Sequence, residues 1–118
     1  MIYEVTPVPK PRQTRADVWK KRPCVVRYRE FADRCRELGM MVQNGDRISF
    51  LIEMPRIWSA KKRAALDGQP HQQRPDLDNL LKALMDAVLP EDCSIWHLGH
   101  VTKRWGAVAA IIIVPAGP

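Results

Sequence analysis

Apolar residues at Val25, Tyr28, Phe31, Ala32, Cys35 and Leu38 recur at spacings of three and four, the stripe of an amphipathic helix. Pro23 opens that helix in the position where proline is tolerated, and Gly39 supplies its stop. The period then changes to two. Ile48, Phe50, Ile52 and Met54 alternate with Ser49, Leu51 and Glu53, which predicts a half-buried strand after the Asn44-Gly45-Asp46 turn, ended by Pro55. Ser59 reads as the N-cap of a short basic helix from Ala60 to Leu66, closed by Gly68, and residues 69–75 read as polar loop. A second apolar stripe, Leu80, Leu81, Leu84, Met85 and Val88, predicts a helix that starts at or near Asp78 and is limited by Pro90.

The two ends of the chain complete the picture. Ile2 to Val5 reads as a short first strand. Pro7, Pro9 and Pro11 then exclude helix and central strand, so the stretch through Arg22 is expected to be an extended basic loop. Ile95 to Thr102 and Ala107 to Val114 read as two strands of a hairpin around Lys103-Arg104-Trp105-Gly106. The last strand is apolar enough to be central or to lie in an interface. The length and the lack of any linker between these elements predict one domain over residues 1–118.

Composition narrows the class. An apolar fraction of 46% and four tryptophans exclude a disordered polymer. No apolar run nears the roughly 20 residues that span a bilayer, and the start lacks the pattern of a signal peptide. The expectation is a soluble, cytoplasmic protein with no membrane partner. Cys24 and Cys35 are separated by about 16 Å of helix, too far for a disulfide, and Cys93 is left over, so buried reduced thiols are expected.

Charge is unevenly distributed. Residues 10–36 hold ten Lys/Arg against three acids, and residues 56–74 hold five against one. Residues 76–92 reverse the sign, with five acids against Lys82 alone. Two basic blocks thus bracket one acidic patch. Such blocks attract polyanions through phosphate contacts and counterion release. The candidate DNA contacts are Lys10, Arg12, Arg15, Lys20, Lys21, Arg22 and Arg27 in the first block, and Lys61, Lys62, Arg63 and Arg74 in the second.

The acids need a separate explanation. Asp76 and Asp78 flank one apolar residue at the mouth of a helix, and in extended chain i and i+2 point to the same side. Both could then reach one divalent ion, with Lys82 a turn further along the face of Asp78 and Asp86 a turn beyond that. Phosphodiester hydrolysis calls for such a set, because a metal activates water and neutralises charge at phosphorus while a lysine stabilises the added charge. Bland readings compete: either aspartate capping the helix, or an Asp78–Lys82 ion pair. His71, His97 and His100 are scattered and fit packing better than a histidine nuclease.

Arg74-Pro75-Asp76-Leu77-Asp78-Asn79-Leu80-Leu81-Lys82, followed by Asp86-Ala87 and by Glu91-Asp92 before a strand, resembles the signature of the RusA family of Holliday-junction resolvases. The proline-rich start and arginine-rich helix are similar in layout. The resemblance implies that Asp76, Asp78 and Asp92 are catalytic metal-binding residues and that Lys82 is a catalytic lysine. Asn79 matches a motif position without an assigned role. The link from Val88 to the acidic pair is short and contains Pro90, so Glu91 stays as the alternative to Asp92. The resemblance further implies an α+β fold, a mixed β-sheet packed with helices, together with a homodimer, Mg²⁺, and cleavage of branched DNA in recombination and repair. A non-catalytic DNA-binding module, or a nuclease for flaps and forks, are the competing functions.

Overall fold

The structure, a computed structural model, describes residues 1–11 and 22–116, apart from the side chain of Asp92. Strand β1 spans Ile2–Tyr3, helix α1 Pro23–Glu37, β2 Arg47–Glu53, α2 Ala60–Leu66 and α3 Leu77–Val88. A 3-10 turn at Asp92–Ser94 precedes β3, His100–Gly106, and β4, Ala110–Val114. The expected α+β architecture is present as one mixed sheet with helices packed on it.

Local signals act where the sequence places them. Pro23 stands in the first turn of α1, and Gly39 follows its end with φ 66°, a conformation that costs glycine no Cβ clash. Ser59 caps α2 by accepting the Lys62 N–H at 3.1 Å, and Gly68 takes φ 77° beyond it. The first strand is shorter than the pattern suggests, ending at Tyr3, although Val5 remains buried.

The hairpin does not form. The strand order is β1-β4-β2-β3, so β2 separates β3 from β4, antiparallel to β4 and parallel to β3. Lys103–Gly106, read as a turn, belongs to β3, whereas residues 95–99 are not strand. The reason is lateral burial. The alternating apolar row of β2 gains neighbours on both sides, Ile48 opposite Ile113 and Val101, and Phe50 opposite Ile111. The four steps from Gly106 to Ala110 can reach about 14 Å, enough to cross two strand spacings of about 4.8 Å over the end of β2.

One face of this sheet carries the core. Phe31, Ala32 and Cys35 of α1 and Leu80, Ala83, Leu84 and Ala87 of α3 pack on Ile48, Phe50, Ile111 and Ile113. Leu80, Leu84, Ile48, Phe50 and Ile111 are completely buried, each worth roughly 1.5–3 kcal/mol of transfer free energy. Arg36 ties the two helices together by donating from Nε to the Ala87 carbonyl at 3.0 Å, a cation at a helix C-terminus. The expectation of buried thiols holds only for Cys35, because Cys24 is half-buried and Cys93 exposed; all three are free. Burial pushes the Cys35 thiol up to about 11 against the opposing charge of Arg36.

Candidate functional site

The stretch that leads into the acidic motif is fixed by β3. Backbone bonds run from Gly68 N–H to the Trp105 carbonyl (2.9 Å), from Trp105 N–H to Gln69 (3.0 Å) and from His71 N–H to Lys103 (2.9 Å). Residues 68–71 thus lie antiparallel along the otherwise open edge of β3, a covering that also protects the edge. His71 is buried with its ring 4.3 Å from that of Trp105, which in turn lies 4.8 Å from Trp58. This packing role agrees with the sequence. Burial first, and the nearby Lys103 charge second, hold the His71 imidazole below its ordinary pKa. Among the described residues its Nδ1 finds no hydrogen-bond partner. Lys103 Nζ donates to the carbonyls of Gln73 and, at 2.6 Å, Pro75. The Arg74–Pro75 peptide is cis.

Asp76 is the next residue and occupies the N-cap of α3 with extended backbone, φ −70° and ψ 144°. Its side chain makes no capping hydrogen bond, which removes the helix-cap explanation for this carboxylate. Instead it lines a cleft of about 560 Å³ with Arg74, Pro75 and Asn79 on one side and Pro7 and Pro9 on the other. Lys10 N–H donates to the Asn79 carbonyl at 3.2 Å, which brings the proline-rich segment against the mouth of α3. Asp78, exposed in the first turn, accepts the Asn79 N–H at 2.9 Å.

Lys82 lies one turn on, with Nζ 3.1 Å from Asp86 Oδ1. The ion pair is therefore displaced by a turn from the Asp78–Lys82 pair that spacing alone suggests. Asp86 also holds Lys10, at 3.2 Å, and Lys10 stands 4.2 Å over the Tyr28 ring. Lys10 thus joins the N-terminal segment to α1 and α3.

The acidic pair expected to supply a third carboxylate follows α3. Asp92 opens the 3-10 turn, and its side chain lies outside the described residues. Glu91 is exposed and accepts the Cys93 thiol at 3.7 Å. Asn44 anchors this segment, donating to the Ser94 carbonyl at 3.3 Å and accepting the Trp96 N–H at 2.8 Å. Among the described residues no group of three His, Cys, Asp or Glu is assembled for a metal. Asp76 and Asp78 nevertheless offer hard oxygen donors at one helix mouth, which fits Mg²⁺, an ion that commonly takes only one or two protein carboxylates.

The cations divide into engaged and open. Arg63 donates to the carbonyls of Met54 and Pro55, and Lys62 stands 4.2 Å over Trp58, so both brace the turn after β2. Arg74 is exposed on the cleft, Lys61 is exposed on α2, and Arg27 is exposed on α1 beside a second groove with Arg34. Arg22 is half-buried at the N-cap of α1. Arg12, Arg15, Lys20 and Lys21 lie outside the described residues. Sequence reasoning missed Lys103 and Asn44. The hairpin pattern puts Lys103 in a turn; its signal is a lysine on the face that Val101 and Trp105 share by period two.

Compared with known proteins, the chain matches the family model for endodeoxyribonuclease RusA over residues 4–111, which takes in every element from the end of β1 to the start of β4. No curated protein and no solved structure matches it.

Proposed function

Because the chain belongs to the RusA endodeoxyribonuclease family, a family of Holliday-junction-resolving nucleases, we propose that it is a Mg²⁺-dependent nuclease that cuts four-way junctions by paired nicks. Asp76, Asp78 and Asp92 are the proposed ligands. Bound there, Mg²⁺ would supply an activated water and charge neutralisation at the scissile phosphate. The observation that carries this reading is Asp76, a cleft-lining carboxylate at a helix N-cap whose side chain is not spent on capping.

The surrounding residues have separable tasks in this reading. Lys82 lends a cation to the extra negative charge of the transition state, with Asp86 setting its position. Arg74, Lys61 and Arg27 hold backbone phosphates, where contacts position DNA without reading sequence. Arg12, Arg15, Lys20, Lys21 and Arg22 extend that contact from the N-terminal basic block. A two-fold homodimer offers two equivalent sites, which symmetric nicking of a junction requires. The proposed setting is DNA recombination and repair in the cytoplasm; no described helix is long and apolar enough to cross a membrane.

Asp78→Asn provides the test. Junction binding without metal should persist, while Mg²⁺-dependent cleavage falls by more than the 10- to 100-fold typical of groups outside the first ligand shell. Retained cleavage would remove Asp78 from the site. Equal cleavage of four-way, forked and linear DNA would remove the junction preference.

A further inference from the structure

A half-buried lysine in the middle of a strand, on the face turned to the helices, needs an explanation. Lys103 lies on that face with Val101, which packs against the core, and its ammonium has donors but no acceptor capacity. Two of those donors meet the carbonyls of Gln73 and Pro75, either side of Arg74 and immediately before Asp76. Hydrogen bonds from a charged donor are roughly twice as strong as neutral ones. The same strand holds the preceding residues through the backbone bonds of Gln69 and His71. The bracing therefore runs from 68 to 75 and stops one residue short of the carboxylate that lines the cleft.

We propose that Lys103 is a positioning residue that sets Asp76 by clamping the Gln73 and Pro75 carbonyls from behind the cleft. It rests on the reading of Asp76 as a metal ligand. Lys103 is not among the residues lining the cleft with Asp76, so its action on Asp76 runs through the backbone. Consecutive Cα atoms are a fixed ~3.8 Å apart, so a displaced Pro75 displaces Asp76 directly. Misplacement of a reacting geometry by about 1 Å can cost about a hundredfold in rate. Arg can span two carbonyls with its fork of donors, whereas Met keeps the apolar stem and supplies none.

The test compares wild type, Lys103→Met, Lys103→Arg and Asp76→Asn in the full chain. Amide hydrogen exchange without metal reads the position of the segment, and Mn²⁺ titration without DNA reads the ligand set. Lys103→Met should speed exchange over residues 74–81, including the Leu80 amide that bonds to the Asp76 carbonyl, while leaving β2 and β4 unchanged. It should weaken Mn²⁺ binding about tenfold, as loss of an orienting group typically does, with Lys103→Arg restoring most of both. Unchanged exchange over 74–81 would overturn the proposal, and so would a uniform rise through β2 and β4, which would mark Lys103 as a general stabiliser. If exchange responds as expected but neither Lys103→Met nor Asp76→Asn alters Mn²⁺ binding, the clamp stands and the metal reading fails.

Discussion

Replacing Asp86 by Asn removes a carboxylate placed between two lysines while keeping its size. Its oxygens lie 3.2 Å from Lys10 and 3.1 Å from Lys82, contacts worth roughly 5 kcal/mol each at an effective dielectric near 20 but only about 1.3 in bulk water. Exposure decides between these limits. The Lys82 side chain is 52% exposed and its pair is an i,i+4 contact, so a few tenths of a kcal/mol is expected. Lys10 is 27% exposed and Asp86 21%, so that tertiary pair should approach the upper end for measured surface pairs, about 1 kcal/mol. Asp86→Asn should therefore cost about 1–1.5 kcal/mol, near 5 °C in melting temperature for a domain of this size. A double-mutant cycle with Lys10→Met in urea isolates the pair, and its coupling should shrink in 1 M salt, where the Debye length is about 3 Å. A coupling below about 0.2 kcal/mol, or one indifferent to salt, would refute the view that Asp86 ties the N-terminal segment to α3.

Acidification should destabilise the fold through His71. Its folded pKa lies below the ordinary 6.5, so its contribution is intact above that value and is lost as pH falls through 6.5 toward the folded value; melts from pH 7.5 to 5.5 should flatten in His71→Phe. Thiol labelling in native protein should modify exposed Cys93 first and half-buried Cys24 more slowly, with Cys35 reacting only on unfolding; rapid labelling of all three would contradict the packing of α1. Leu84→Ala should cost about 3 kcal/mol in urea unfolding, because Leu84 is fully buried between α3 and the sheet. Gly39→Ala should cost about 1 kcal/mol from φ 66° alone, and Gly45→Ala more, because its Cβ would also stand 2.9 Å from that of Ala116.

Much of the fold was legible in the chain because its signals are local. The three-four stripes of α1 and α3, the Ser59 cap, the Gly39 stop and the alternation of β2 each act within a few residues, and each element formed close to where it was expected. The same holds for the acidic motif, since Asp76 and Asp78 owe their place to the start of one helix. Strand neighbours were not legible, because periodicity gives the face a residue takes and not the strand beside it. The insertion of β2 between β3 and β4 follows from what buries the most apolar surface once all strands are present.

The sequence by itself determined the family, the helices, strand β2 and a carboxylate pair set beside basic segments. Only the tertiary structure decided which charges are open. Lys10 and Lys82 meet on Asp86 across segments that are distant in the chain, and Lys103 is drawn from a supposed turn to brace the residues before Asp76. An ionic or hydrogen-bonded contact depends on a few ångströms of three-dimensional separation, and neither composition nor spacing along the chain encodes that distance.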